Sequence, residues 1–318
     1  MARSPISSVD PYPVPAGERT HSRSKVAALL RSLRPSQWTK NLIVFAGLVG
    51  SIGERRSVDS GSVGAALVAF IVFCLLSGVV YLINDVRDRQ ADQLHPTKRY
   101  RPIAAGELSP RVALVSALVL GLVALAAGFS LSVGFGLIAA SYVVLLASYS
   151  VVLKHVVILD VLTIALGFVL RAWAGAEAVH VSSSHWLLLL TLLGALVLGL
   201  GKRRAELVAL EHAATGHRKS LAEYSPYLLD QMMSVVNAST LLAYAFYTTD
   251  PETVAKFGTD RLLWTIPFPL YGIFRYLYLV HQREGGGDPS EMLATDGPLL
   301  VCGALWIAAV VAILYAPR

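Results

Sequence analysis

Apolar and polar positions fall in long blocks along this chain, not in the short periods of a soluble domain. Apolar runs cover residues 63–83, 112–130, 133–150, 156–178, 186–200, 228–247, 262–280 and 298–315. A shorter run, 42–52, precedes them. A helix of about twenty residues matches the hydrocarbon thickness of a bilayer. Inside lipid the backbone must satisfy its own hydrogen bonds, which helices do. The pattern predicts an all-α, polytopic membrane bundle of about nine transmembrane helices, the short first run being its weakest member.

Composition agrees: 55% of the 318 residues are hydrophobic and only 15% charged, which excludes an ordinary soluble domain. Residues 1–25 are rich in Ser, Pro and charge, contain no apolar core of a signal peptide, and are expected to form a disordered cytoplasmic tail. Residues 26–34 form a short basic amphipathic segment suited to the inner leaflet, and Trp38 suits an interface anchor. Cys74 and Cys302 both lie inside apolar runs, so disulfide and zinc readings fail.

The net charge of +6 is unevenly placed. With the N-terminus in the cytoplasm, the tail, residues 84–111, Lys154, residues 202–219 and Arg283 lie inside. The opposite loops hold only Arg55, Arg56, Lys256, Arg261 and Arg318. This bias sets the expected topology: a multi-pass protein of the inner (plasma) membrane, its polar site facing the cytoplasm. Such charge suits anionic headgroups and phosphorylated substrates. No basic face carries interleaved aromatics, so nucleic acid is not expected as a partner.

The main polar interruption runs from Asn84-Asp85-Val86-Arg87-Asp88 through Asp92, then His95-Pro96 and Lys98-Arg99-Tyr100-Arg101-Pro102, to Gly106. If helix continues past Ile83, Asp85, Asp88 and Asp92 fall at i, i+3 and i+7 on one face, with Asn84 in an overlapping row. Stacked like charges repel, and a divalent cation would remove the conflict. Few, hard oxygen ligands suit Mg²⁺, whose other positions are filled by water and substrate phosphate. Acid plus metal beside Lys98, Arg99 and Arg101 is what a diphosphate requires.

This string resembles the first aspartate motif of the UbiA superfamily of intramembrane prenyltransferases. Its longer form, with His95-Pro96 and Lys98-Arg99-Tyr100-Arg101-Pro102-Ile103-Ala104-Ala105-Gly106, resembles the decaprenyl-phosphate phosphoribosyltransferase branch. The resemblance implies one UbiA-like transmembrane domain over 26–318. It also implies Mg²⁺-dependent transfer of 5-phosphoribose from 5-phosphoribosyl 1-diphosphate to a polyprenyl phosphate, giving a precursor of cell-wall arabinan. Asp85, Asp88 and Asp92, with Asn84, would hold the metal. Lys98, Arg99 and Arg101 would bind donor phosphates. Lys40 and Asn41 form a pair that recurs in the family, and Lys40 would contact phosphate.

Further candidates stand at other helix ends. Tyr149 and Lys154 lie where the fourth run meets water. Asp160 is one turn into the fifth, where a carboxylate marks a functional site by default, with Lys154 or Arg171 as the alternative partner. Arg171 lies deeper and suits a structural role, paired with a carboxylate or backbone carbonyls. After the sixth run the chain reads Lys202-Arg203-Arg204-Ala205-Glu206, then His217-Arg218-Lys219 and Asp230. Superfamily members that ionise a prenyl diphosphate carry a second aspartate motif here, and this basic loop is not one. Lys202 and Arg203 suit the lipid phosphate or the ribose 5-phosphate, with Glu206 and Asp230 as polar neighbours. No Walker loop, dinucleotide fingerprint or Gly-x-Ser-x-Gly elbow is present. The alternatives are a superfamily prenyltransferase with an aromatic acceptor, and a transporter whose intramembrane charges mark an ion path. Homo-oligomerisation is left open.

Overall fold

The computed structural model describes residues 24–55, 59–211, 223–282 and 295–315, with Met292. Nearly all of the tail, Arg56, residues 212–222, Arg283, Gly285-Gly286-Gly287 and Arg318 lie outside the described residues. The described residues are mainly helical, with no strand among them. Its helices are α1 (Lys25–Ser32), α2 (Ala46–Arg55), α3 (Ser60–Arg87), α4 (Arg89–Leu94), α5 (Pro110–Leu131), α6 (Val133–Val151), α7 (Leu159–Ala178), α8 (His185–Glu211), α9 (Pro226–Thr249), α10 (Pro251–Phe257), α11 (Pro267–Gln282) and α12 (Gly297–Tyr315).

Six of these, α3, α5, α6, α7, α8 and α12, are long and apolar enough to cross a membrane, which makes this a multi-pass membrane protein. The expected count of about nine is not reached among the described residues. The first run is not one helix: Pro35–Phe45 winds as 3₁₀ and only then continues as α2. Runs seven and eight form α9 and α11, but α9 is too polar and α11, with 16 residues, too short.

Successive helices pack against one another, α5 on α3, α6 on α5, α7 on α6, α8 on α7 and α9 on α8, while α3 also meets α6 and α7. Caps mark the turns. Ser109 accepts from Val112 N–H at 3.3 Å ahead of Pro110, and Ser132 accepts from Phe135 N–H at 2.9 Å. The core between α3, α6 and α7 is built on Phe73, packed edge-on to Phe135 at 5.9 Å and Tyr142 at 5.2 Å. On α5, by contrast, Val115, Leu118, Val119 and Leu122 all face outward, as a lipid-facing stripe must.

Lipid tails are as apolar as a leucine, so helices gain little by hiding apolar surface from them. Close backbone packing and polar contacts hold the bundle instead. Glycine supplies the first. A Cβ on Gly47 would collide with the Gly175 carbonyl, and one on Gly175 with the Val44 carbonyl. Arg171 supplies the second. It is buried on α7, about 16 Å along the helix from Asp160. Its Nε donates to Asn41 Oδ1 at 2.6 Å, Nη2 to the Tyr142 hydroxyl at 2.6 Å, and Nη1 to the Gly167 carbonyl at 3.1 Å. It also stacks on Tyr142 and Phe168. Of the two kinds of partner expected, a carboxylate or backbone carbonyls, the described contacts include one backbone carbonyl, that of Gly167, and no carboxylate. Together Arg171 and the glycine contact pin the 3₁₀ segment against α7.

Candidate active site

The C-terminal ends of α3, α6, α8 and α11 and the N-terminal ends of α5, α7 and α9 gather at one end of the bundle. A chain of polar contacts runs across it. Arg87 donates to the carbonyls of Ser150 at 3.0 Å and Val151 at 3.3 Å. Lys154 meets Asp88, Arg203 meets Asp160, and Arg204 and His281 both meet Asp230.

The aspartate motif does not form one straight face. Helix α3 ends at Arg87, and Asp88 (φ −86°, ψ 6°) interrupts it before α4 begins at Arg89. Asp85 and Asp92 converge all the same. Arg101 Nη1 lies 3.2 Å from Asp85 Oδ1 and 2.7 Å from Asp92 Oδ2. Asp88 has a separate partner, Lys154, whose Nζ donates to its two oxygens at 3.2 and 3.4 Å. The expected three-carboxylate set is therefore a pair plus one. Among the described residues no three acid, His or Cys side chains are grouped to hold a metal ion. The pair still suits Mg²⁺, which often takes only one or two carboxylates. A positive nitrogen already stands between them, where a cation would be held.

Arg101 reaches that point because its loop is anchored. Ile103 and Leu108 are fully buried among residues of α1, α3 and α5. Leu108 N–H returns to the Pro102 carbonyl at 3.1 Å, and Gly106 (φ 80°) makes the left-handed turn between them. Gln93 adds a bond to the Ala104 carbonyl at 3.2 Å. A second cation arrives from outside the motif. Arg34 Nη2 lies 2.5 Å from Asp85 Oδ1, and its guanidinium stacks 4.5 Å above the Tyr81 ring.

The other sequence candidates divide. Asn84 and Lys98 are half-buried beside the motif. Arg99 is exposed and turns onto its neighbour, donating to the Tyr100 hydroxyl at 2.7 Å. Asn41 is buried, its Oδ1 accepting from both Arg171 and Ser77 and its Nδ2 donating to Cys74 Sγ, while Lys40 is half-buried next to it. Tyr149 is half-buried at the end of α6 and Lys202 is exposed.

Asp160 is fully buried, and its partner is neither Lys154 nor Arg171. Arg203 Nε donates to Oδ2 at 2.7 Å and the Tyr224 hydroxyl to Oδ1 at 2.8 Å. That hydroxyl accepts from Ile158 N–H at 2.7 Å, across a residue at φ 70°. Burial, with the bond to Asp160, pushes the Tyr224 hydroxyl up to about 12, so it remains a donor at neutral pH. Arg203 Nη1 also meets Glu206 at 2.5 Å. Arg204 Nε meets Asp230 at 2.6 Å. Of the basic triplet, Lys202 faces outward and the two arginines tie helices together.

Sequence reasoning missed Arg34 and Tyr224. Arg34 stood only as the end of an amphipathic segment, and its one signal is a basic residue immediately before Pro35. Tyr224 carried no signal beyond standing in the loop before α9.

Residues 42–295 match the UbiA prenyltransferase family. The chain belongs to that family. A relative from Mycolicibacterium smegmatis named decaprenyl-phosphate phosphoribosyltransferase is 34% identical over 307 residues, covering 92% of this chain and 94% of the other. One of the same name from Mycobacterium tuberculosis is 34% identical over 288 residues, covering 90% and 93%. Among solved structures, a UbiA homolog from Archaeoglobus fulgidus bound to GPP and Mg²⁺ has a TM-score of 0.68 at 19% identity, covering 90% of this chain and 99% of that one. A digeranylgeranylglyceryl phosphate synthase structure has a TM-score of 0.66 at 15% identity, covering 92% and 99%. At such identities the likeness concerns the fold. On this fold the present chain places two charged clusters at one end, one partly open and one sealed.

Proposed function

We propose that this UbiA family member is a decaprenyl-phosphate phosphoribosyltransferase. It transfers 5-phosphoribose from 5-phosphoribosyl 1-diphosphate to a polyprenyl phosphate, decaprenyl phosphate being the expected acceptor. The products are lipid-linked phosphoribose, a precursor for cell-wall arabinan, and pyrophosphate. The observation that carries this reading is the interleaving of acids and bases at one bundle end. Asp85 and Asp92 share Arg101, Asp88 takes Lys154, Lys98 follows in the loop after α4, and Lys202 stands on α8 next to Arg203. A donor with three phosphate groups and an acceptor with one call for cations as well as carboxylates. The relatives named for this activity, aligned over nine-tenths of the chain, support the same reading.

Asp85 and Asp92 would hold Mg²⁺, with Asn84 and Asp88 beside them. When bound, the ion would neutralise charge on the diphosphate leaving group. Arg101, Lys98 and Arg34 would bind and orient the donor phosphates. Lys154 and Lys202 are assigned to the lipid phosphate or the 5-phosphate. A phosphate oxygen of the lipid attacks C1 of the ribose as the C1–O bond to pyrophosphate breaks, with inversion at C1. A phosphate dianion is already nucleophilic, so no residue is required to remove a proton. The Lys and Arg asymmetry supports a cytoplasmic position for this end, in the plasma membrane, within reach of a soluble sugar phosphate.

The test is purified protein with radiolabelled 5-phosphoribosyl 1-diphosphate and decaprenyl phosphate, with Mg²⁺ or EDTA, followed by mass spectrometry of the lipid extract. A phosphoribosylated lipid and pyrophosphate are expected only with Mg²⁺. A prenylated aromatic, formed from polyprenyl diphosphate while phosphoribosyl diphosphate is untouched, would overturn the assignment.

A further inference from the structure

The cations on the aspartate motif raise a question of occupancy. Asp85 is buried, yet two arginines hold one of its oxygens, Arg34 at 2.5 Å and Arg101 at 3.2 Å. A divalent cation shared by Asp85 and Asp92 would enter beside that oxygen, at a carboxylate that already carries two positive partners. A metal there would put a third positive group on one carboxylate, and the repulsion between them favours release of an arginine.

Arg34 projects from a fixed corner of the backbone, and only its side chain reaches the site. It stands alone between α1 and the 3₁₀ segment, in left-handed backbone (φ 53°, ψ 64°) that a residue with a Cβ adopts only at a cost. Neighbouring contacts define the corner on which it turns. Arg34 N–H bonds to the Arg31 carbonyl at 3.1 Å, and Trp38 Nε1 donates to the Leu33 carbonyl at 3.3 Å. Leu33 itself is buried against α3. The guanidinium rests on the Tyr81 face, which attracts a cation without chelating it. About a quarter of the Arg34 side chain is exposed, so the group can swing without leaving water.

We propose that Arg34 is an exchangeable counter-ion of the active site. In the free protein it occupies Asp85. When a divalent cation takes the carboxylate, Arg34 is released along the Tyr81 face and becomes a clamp on the diphosphate that arrives with the metal. One side chain thus opposes binding of metal alone and favours binding of metal with diphosphate. This rests on the divalent-metal reading above and adds a residue and a direction to it.

Opposite signs make the test sharp. Mn²⁺ serves as probe, its binding followed by electron paramagnetic resonance on full-length protein in detergent, first alone and then with inorganic pyrophosphate. In Arg34→Gln, Mn²⁺ alone should bind about tenfold tighter, because a charged competitor has gone, and pyrophosphate at saturating Mn²⁺ about tenfold weaker. Arg31→Gln removes a nearby cation, one paired to Glu107, and should change neither constant. Arg34→Lys keeps the charge and should restore most of the Mn²⁺ constant; it also carries the test if the glutamine variant does not fold. Mn²⁺ affinity equal to or weaker than wild type in Arg34→Gln would overturn the proposal. Identical behaviour of the lysine and glutamine variants would overturn it too. A wild type that binds no Mn²⁺ would instead overturn the metal reading and the exchange together.

Discussion

Two acid–base clusters sit at the same end of this bundle and differ in how they are closed. Around Asp85, Asp88 and Asp92 the cations come from segment ends and loops: Arg34 before the 3₁₀ turn, Arg101 in the loop after α4, and Lys154 between α6 and α7. Arg34 and Arg101 are each about a quarter exposed, and Asp88 is 31% exposed. Around Asp160 the partners are Arg203 on α8 and Tyr224 ahead of α9, with exposures of 0%, 4% and 5% in that order. Both oxygens of Asp160 have a fixed donor. A partly open pair that touches through one nitrogen can be exchanged for a ligand, whereas a sealed network with both oxygens satisfied can only be broken. Ionisable residues at a membrane helix end therefore carry two meanings, and access separates them.

The comparison breaks most readily at the open cluster. Asp85→Asn and Asp92→Asn should each lower turnover at least about 100-fold while leaving membrane extraction and melting close to wild type. Product formation measured beside a melting curve in detergent checks this. Equal losses of stability and activity would erase the distinction between the clusters.

The sealed cluster should behave in reverse. Arg203→Ala leaves a buried aspartate without its charge partner and should cost about 3–5 kcal/mol of stability. Adding Asp160→Asn to that variant should recover part of the loss. Thermal unfolding of the single and double variants reads it. A large rise in donor KM with unchanged melting would move Asp160 and Arg203 into the substrate site.

Arg101→Ala and Lys202→Ala should have smaller effects, each losing roughly tenfold to a hundredfold in catalytic efficiency with 5-phosphoribosyl 1-diphosphate. Steady-state kinetics on folded variants provide the measurement. Wild-type efficiency in Lys202→Ala would return that residue to ordinary headgroup contact.

The smallest effect concerns Tyr224. Tyr224→Phe removes the hydroxyl that joins Ile158 N–H to Asp160 and should cost about 1–2 kcal/mol with activity retained. Because burial raises this hydroxyl to about 12, its contribution is complete below pH 10 and is lost as the pH climbs from about 10 to about 12. The variant should lack that alkaline step when melting is followed against pH.

Much of this was legible in the chain. Blocks of apolar residues announced an all-helical membrane bundle, and the spacing of Asp85 and Asp92 put two carboxylates within reach of one cation. The break at Asp88 was not legible, because nothing in the residue types distinguishes a continuous helix from one interrupted for a single residue. The first run misled through length. It looked like a short span, but its path is set by the Gly47–Gly175 contact and by Arg171 holding Asn41, partners 128 and 130 residues away. Asp160 was flagged as functional on depth alone. Depth does not say whether a partner is waiting, and here Arg203 and Tyr224 are.

By itself the sequence determined what is local or statistical: hydrophobic length against bilayer thickness, charge bias between loops, and the residue types of the aspartate loop. Which cation meets which carboxylate was decided only by the tertiary structure. Those pairs join residues 51, 16 and 66 positions apart for Asp85 with Arg34, Asp85 with Arg101, and Asp88 with Lys154. Electrostatic pairing depends on distance in space and on access to water, and neither can be read from position in the chain until the helices have packed.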